Sequence, residues 1–356
     1  MPLPIDCEPF GLKRTNERWL TDSLFTLFHS MDYDRRVPTK PKQVVEAKPN
    51  GTALVPDMAI SKPELRVYVG DCRQILPRIP EVASKSVDLV FADPPFNWNR
   101  AYDKWDDKMP REDYLKFTRE WLDLCVDALT PTGSMWVNIP DDTAAEIVLH
   151  LKGRGLKMVN WCIWHYRFGQ NTESKFISSH VHALYFARDP MNRTWNGDEI
   201  LEPSDRATTY FDPRTQNKKE GTAGMRLPMD VWYGAYWGRI QGNNKERRAN
   251  HDNQLPEVYL ERVIRACSNE GDLVMDPFLG SGTTGVIAHA LKRRFIGTEF
   301  STDNAKSAFK RIQEGPIRLG AALGLSTAIH APRRVTARAG GKRGAAADVK
   351  LNSDAT

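Results

Sequence analysis

Along this chain, short uninterrupted apolar runs alternate with amphipathic stretches. LRVYV (65–69) and SVDLVFA (86–92) are rich in β-branched residues, which predicts strands buried on both faces, with a short helix around Ile75 between them. Tyr114, Leu115, Trp121, Leu122, Cys125, Val126 and Leu129 recur at helical spacing. Thr130-Pro131-Thr132-Gly133 ends that helix before the strand SMWVNI. NWCIWHY and VHALYFA read as two further strands. After a break the rhythm resumes with a helix around Val258 to Cys267, strand GDLVMD, helix TTGVIAHALKR, strand RFIGTEF and helix TDNAKSAFKRI. The alternation predicts an α/β fold with a doubly wound, mostly parallel sheet.

Three stretches stand outside this rhythm. In residues 1–63, Trp19, Leu20, Leu24, Leu27, Phe28 and Met31 predict a short helix behind an Asn16 cap. Pro38, Pro41, Pro49, Pro56 and Pro63 then make an extended linker. Residues 188–250 are basic, irregular and aromatic, with Trp195, Tyr210, Phe211, Trp232 and Trp237. Residues 316–356 are rich in Ala, Gly and Arg, and the last 26 of them hold six Lys/Arg against two Asp, the composition of a disordered basic tail.

Composition adds little to that picture. The 356 residues carry 50 Lys plus Arg against 45 Asp plus Glu, a formal charge of +5 that permits a polyanionic partner without demanding one. The five cysteines, Cys7, Cys72, Cys125, Cys162 and Cys267, are scattered with no C-x-x-C pair, as expected of reduced thiols in a cytoplasmic protein. No apolar stretch reaches the length of a bilayer span, and the start lacks the plan of a signal peptide.

Two strand-to-loop junctions hold the candidate chemistry. Asp276-Pro277-Phe278-Leu279-Gly280-Ser281-Gly282-Thr283-Thr284 joins a strand to a helix, where glycines permit a tight turn and the helix start adds a positive dipole. A phosphate-binding P-loop would need Lys after the last Gly, and none is present. Glu299, 23 positions later, ends the next strand, where a carboxylate can accept from both hydroxyls of a ribose. The second junction is Asp93-Pro94-Pro95-Phe96. Its prolines remove two N–H donors, leaving carbonyls and a carboxylate as acceptors for an exocyclic amino group, and Phe96 offers a stacking face. Each junction also has a plainer reading, as a turn that merely closes a strand.

Together these motifs resemble the S-adenosylmethionine-dependent amino-methyltransferases that act on adenine N6 or cytosine N4 of DNA. VGDCRQILPRIPEVASKSVDLVFADPPFN, EWLDLCVDALTPTGSMWVNI, KFISSHVHALYFAR and HDNQLPEVYLERVIRACSNEGDLVMDPFLGSGTT are similar to segments of that family in the same order, from about Leu65 to Gly315. The Asp93 tetrapeptide precedes the Asp276 loop by 183 positions, an order that resembles the circularly permuted β subgroup. The resemblance implies a Rossmann-like fold whose catalytic half is 64–187 and whose cofactor half is 251–315, with a target-recognition insert at 188–250.

The resemblance assigns catalysis to Asp93, Pro94, Pro95 and Phe96. It places Asp276, Gly280 and Gly282 at the methionine end of S-adenosylmethionine, with Thr283 and Thr284 opening the helix and Pro277, Phe278 and Ser281 also binding the cofactor. Glu299 is then the ribose ligand, Phe300 lies against the adenine ring and Asp71 accepts from its amino group. His251, Asn253 and Gln254 match the segment near the methionine portion, although Asp252, Asn253 and Leu255 stand where the family usually has Pro, Thr and Lys. Phe96 replaces a commoner Tyr, keeping the ring without its hydroxyl. The implied partners are double-stranded DNA, a second copy of the chain and a restriction endonuclease acting on the same site.

An initial Asp in the tetrapeptide is associated with adenine N6 and Ser with cytosine N4. Carbon-5 cytosine methylation calls for a thiolate, typically after Pro, and no Cys here follows Pro. RNA or a protein amide is an alternative substrate, and a catalytically silent DNA-binding protein on the same fold is an alternative of another class. His180 and His182 share one strand face with no carboxylate cluster nearby in sequence, so no metal site is expected.

Overall fold

The computed structural model describes residues 54–99, 107–166, 172–216, 222–248, 251 and 253–321, all within a compact unit spanning Thr52–Thr356. The helix expected over Trp19 to Met31 and the tail beyond 321 lie outside these residues. In chain order the elements are β1 (Met58–Ser61), β2 (Glu64–Val69), α1 (Cys72–Ile75), α2 (Pro80–Ala83), β3 (Val87–Ala92), α3 (Arg111–Ala128), β4 (Leu129–Ile139) and α4 (Ala144–Gly153). Then come β5 (Lys157–His165), β6 (His180–Ala187), β7 (Glu202–Pro203), α5 (Asp205–Thr208), β8 (Met225–Arg226) and β9 (Val231–Trp232). The chain closes with α6 (Glu257–Cys267), β10 (Leu273–Asp276), α7 (Thr283–Ala290), β11 (Arg294–Glu299) and α8 (Thr302–Glu314).

Among the described residues, nine strands form one sheet in the order β1-β2-β11-β10-β3-β4-β6-β5-β9. The pairs β2–β11, β11–β10, β10–β3, β3–β4 and β5–β9 are parallel, whereas β1–β2, β4–β6 and β6–β5 are antiparallel. From β10 the chain winds outward to β11, and from β3 it winds the other way to β4. The winding therefore reverses between β10 and β3, and α/β sheets open a ligand crevice at the carboxyl ends of strands where that happens.

The strands are apolar on both faces because helices cover both. Leu65, Val67, Leu89, Phe91 and Val274 face α6, α7 and α8. Val87, Val90, Met135, Met275 and Ile296 face α1, α2, α3 and α4. α3 buries Tyr114, Phe117, Trp121, Leu122, Cys125 and Val126 along one stripe, and Glu112 and Asp113 in its first turn favour the positive helix end. Four thiols, Cys72, Cys125, Cys162 and Cys267, are free and buried. Among the described residues no helix is long and apolar enough to cross a membrane.

The structure departs from the sequence expectations in four places. Met58–Ser61, read as linker, pairs with β2 as the sheet's outer strand, held at its start by Asp57 N–H on the Val67 carbonyl at 3.0 Å. α4, absent from the expectations, buries Ala144, Ile147, Val148 and Leu151 at helical spacing. The end of the insert is core: Val231–Trp232 pairs with β5, while Trp232, Trp237 and Ile240 are buried among Tyr259 and Trp164. The tail begins later than residue 316, since backbone N–H groups of Ile317 and Arg318 donate to Glu257 at 2.7 and 2.8 Å and that of Gly320 to Glu261.

Trp121 is wholly buried and meets the Phe278 ring edge-on at 5.0 Å, joining α3 to the loop after β10. Trp121→Ala is expected to lower unfolding free energy by about 3–5 kcal/mol, read as a drop in the denaturant midpoint.

Candidate active site

Both junctions singled out in the sequence open onto one cavity of about 240 Å³ at the carboxyl ends of β3 and β10. Asp93, Pro94, Pro95 and Phe96 line it from one side, and Asp276, Pro277, Phe278, Gly280, Ser281, Thr283 and Thr284 from the other. Asp71, His251, Asn253, Gln254, Glu299 and Phe300 complete the predicted set on its walls. Gly282 alone of the predicted residues is not on the wall. Its φ is +80°, and a methyl group at its Cα would lie only 2.9 Å from the Ala308 Cβ, so glycine here lets α8 pack closely.

Asp93 follows the last residue of β3 and is aimed by a chain the sequence did not reveal. The Asn138 amide donates to Asp93 Oδ1 at 3.1 Å, and Tyr259 donates its hydroxyl proton to Asn138 Oδ1 at 2.5 Å. Oδ2 is left for a ligand. Burial pushes the Asp93 carboxyl up to about 7; the Asn138 bond opposes this, the Asp276 carboxylate adds to it and the Arg239 guanidinium opposes it. The loop beyond is locked: Asn97, at φ +59°, exchanges hydrogen bonds of 2.8 Å with the Met109 backbone. Tyr114 donates to the Pro95 carbonyl at 2.9 Å, and Pro94 lines the cavity. The Phe96 ring is half-buried and edge-on to Trp98 at 5.1 Å.

Asp276 ends β10 and is also pushed up to about 7 by burial, against bonds from Thr284 and the Phe278 N–H and with the Glu299 carboxylate adding to the rise. Glu299 itself is raised by burial. Its two oxygens accept backbone N–H groups of Gly280 at 2.9 Å and Ser301 at 3.0 Å, so the expected ribose ligand also closes the glycine loop. Asp71 is engaged as well: it caps α1 through the Arg73 N–H at 2.9 Å and pairs with the Arg73 guanidinium at 2.6 Å. Burial would raise its carboxyl, but the Arg73 bonds outweigh burial and hold it below the usual range. The Gln254 amide is spent on backbone, accepting from the Arg248 N–H at 3.0 Å and donating to the Glu246 carbonyl at 2.6 Å, so it fastens the turn leading out of the insert.

Arg311 braces the cofactor side of the cavity. Almost wholly buried, it donates to the Ser281 carbonyl at 3.2 Å and Thr283 Oγ1 at 2.8 Å and pairs with buried Glu257 at 2.9 Å. Asn138 had a legible signal, a polar residue ending a strand next to that of Asp93. Arg311 had none, since it looks like any charge on an amphipathic helix.

The His180-x-His182 face does meet a carboxylate, contrary to the sequence expectation, because β4 delivers Asp141 beside β6. His180 and His182 Nε2 lie 3.2 and 2.8 Å from Asp141 Oδ1. The Trp161 indole, a donor only, reaches His182 Nδ1 at 2.9 Å, which puts the ring proton on Nε2, the atom a metal would need bare. Burial, the largest influence, lowers the His182 pKa and favours this neutral ring, although Asp141 opposes it.

A family model described as a DNA methylase, covering N6 and N4 enzymes, matches residues 87–310. The chain belongs to the N6/N4 DNA methylase family. The type II methyltransferase M.HpaI of Haemophilus parainfluenzae is 31% identical over 242 residues, 68% of this chain and 73% of that one. The DNA adenine methyltransferase YhdJ of Escherichia coli (strain K12) is 32% identical, covering 68% of this chain and 81% of the other. Among solved structures, the PvuII DNA methyltransferase (cytosine-N4-specific) matches 69% of this chain and 85% of its own at 17% identity and a TM-score of 0.50, a likeness of fold.

S-adenosylmethionine, the expected methyl donor, fits the donor set of this DNA methylase. Asp276 is buried and Glu299 half-buried, both have raised pKa values and no cation paired to them at hydrogen-bonding distance among the described residues, and the cofactor carries a sulfonium and an ammonium. Because Asp276, raised to about 7, must ionise to hold a cation, S-adenosylmethionine affinity should weaken as pH falls through 7, with proton release on binding. Calorimetry near pH 7 in two buffers of different ionisation heat reads that release, and Asp276→Asn should diminish it. Equal heats in the wild type would show that these acids do not titrate with the cofactor.

Proposed function

We propose that this DNA methylase transfers a methyl group from S-adenosylmethionine to the exocyclic N6 of an adenine turned out of double-stranded DNA. The observation that carries the reading is the meeting of Asp93 and the Gly280 loop in one cavity, with Asn138 fixing one oxygen of Asp93 and leaving the other for substrate. When bound, the cofactor supplies an electrophilic methyl on sulfonium.

An amino nitrogen conjugated to a purine is a poor nucleophile. Asp93 Oδ2 and the Pro94 carbonyl accept its two protons and favour a tetrahedral nitrogen, whose lone pair then points at the methyl carbon. The new N–C bond forms as the C–S bond breaks onto sulfur, and the proton shed by nitrogen passes to Asp93, whose pKa of about 7 suits that task. Phe96 stacks on the everted base and Trp98 buttresses it. Of the insert, the part before β9, with exposed Tyr210 and Phe211, reads the DNA sequence. Relatives named type II methyltransferases support a place in restriction–modification, beside an endonuclease acting on the same site.

Adenine is favoured over cytosine N4 by Asp93 at the head of the tetrapeptide and by the adenine-specific relative. Expression in a host lacking DNA methylation, followed by modification-sensitive sequencing, is expected to show N6-methyladenine in a fixed context. N4-methylcytosine there would reverse the choice of base. A silent DNA-binding protein would show neither mark and no S-adenosylmethionine affinity. Asp93→Ala should cut methyl transfer by roughly 10²–10³-fold or more while leaving cofactor affinity within a few-fold. An Asp93→Ala protein of full activity would remove that residue from the mechanism.

A further inference from the structure

On the sheet edge that also carries the cavity, a shallow depression is lined by Tyr166, Gly234, Tyr236, Gly238, Arg239 and Asn244. It lies where the chain turns back after β9, a turn made by Gly234 at φ +128° and Tyr236 at φ +69°. Trp164 pins the turn by donating its indole N–H to the Trp237 carbonyl at 2.6 Å. Arg239 follows two residues later, half-buried, with its guanidinium carbon 4.1 Å from the centroid of the buried Tyr166 ring. Its cationic group thus lies over an aromatic face at the carboxyl end of β5, on the sheet edge that bears Asp93.

Arg239 differs from every other described arginine of the insert. Arg188 and Arg193 donate to the carbonyls of Val126 and Pro190, and Arg206 and Arg214 pair with Asp212. Arg226 pairs with Glu202 and Asp205, Arg247 reaches the Gly242 carbonyl at 3.5 Å and Arg248 pairs with Glu314. Arg239 makes no hydrogen bond or ion pair among the described residues, and the depression has no acidic lining. A half-buried guanidinium over an aromatic ring, with no protein anion at hydrogen-bonding distance among the described residues, is matched by an external one. A phosphate diester meets its fork with two parallel hydrogen bonds.

We infer that this depression seats a backbone phosphate next to the everted target nucleotide, with Arg239 stacked on Tyr166 as its bidentate ligand and Asn244 at its rim. The inference rests on the methyltransferase reading and adds a DNA contact outside the cavity. Eversion swings the nucleotide's sugar and flanking phosphates toward the pocket mouth, and a fixed cation there holds the extruded strand where stacking has been lost. The Arg239 field also acts on Asp93, in keeping with its place beside the mouth.

The full chain, its Arg239→Gln and its Arg239→Lys variants are compared for tritiated methyl transfer to plasmid DNA across a salt series. The assays run well above pH 7, so that Asp93 is ionised in all three. S-adenosylmethionine affinity serves as the check of folding. Arg239→Gln is expected to raise KM for DNA roughly tenfold and to reduce the salt slope by about 1, with the methylated sequence and cofactor affinity unchanged. Arg239→Lys keeps the slope, because the charge remains, but not the full affinity, because the fork is lost. An Arg239→Gln protein with wild-type KM and slope overturns the inference, as does one that keeps the slope but methylates relaxed sequences, which would make Arg239 a base reader. A wild type that methylates no plasmid DNA strikes the methyltransferase reading instead.

Discussion

Two carboxylates held out of water at the ends of neighbouring strands are the constraint around which this molecule is arranged. Asp93 and Asp276 would ionise near 4 in an unfolded chain, and burial raises both to about 7. Their folded forms therefore hold protons that the unfolded chain has lost, and stability conferred below pH 4 declines as pH rises toward 7. A fold gains nothing from such acids unless something positive comes between them. The reversal of winding between β10 and β3 makes the gap in which that can happen.

The walls of the gap are held by polar side chains drawn from distant parts of the chain. Arg311 of α8 ties the Ser281–Thr283 turn to Glu257 at the head of α6. Glu257 receives the backbone of 317–318, and Glu246 accepts the Glu257 N–H at 2.9 Å and pairs with Arg318 at 2.6 Å. Burial, with the nearby Glu257, pushes Glu246 up to about 7. Buried ion pairs of this kind contribute little net stability against apolar packing, but losing one partner strands the other, so they favour a single arrangement. Here that arrangement is the register of the glycine loop against α6.

On the opposite side, aromatic packing does the equivalent work. Tyr259 sits edge-on to Phe91, Trp164 and Trp232, and its hydroxyl closes the chain through Asn138 to Asp93. The same cluster reaches Trp237, so the segment bearing Arg239 is anchored in the core that aims the Asp93 carboxylate. The basic, aromatic insert is thus two things: Trp232 and Trp237 are core, while Tyr210 and Phe211 stay exposed.

Local pattern was sufficient for most strands and helices, because apolar runs such as VDLVFA and the stripe of α3 carry their burial in their own periodicity. It also sufficed for the two junctions, since Asp-Pro-Pro-Phe and the Gly280 turn impose their backbone geometry within a few residues. What local pattern did not contain was pairing over long separations. That Asn138 meets Asp93, that Asp141 meets two histidines, that Arg311 reaches Ser281 and that Gln254 ties down the backbone of Glu246 and Arg248 follow from strand order and helix packing. Sequence by itself determined the elements on which the candidate residues sit and the two junctions that the fold brings to one cavity. Only the tertiary structure decided which lone pairs and charges remain unspent, because that depends on every neighbour the fold brings within a hydrogen bond.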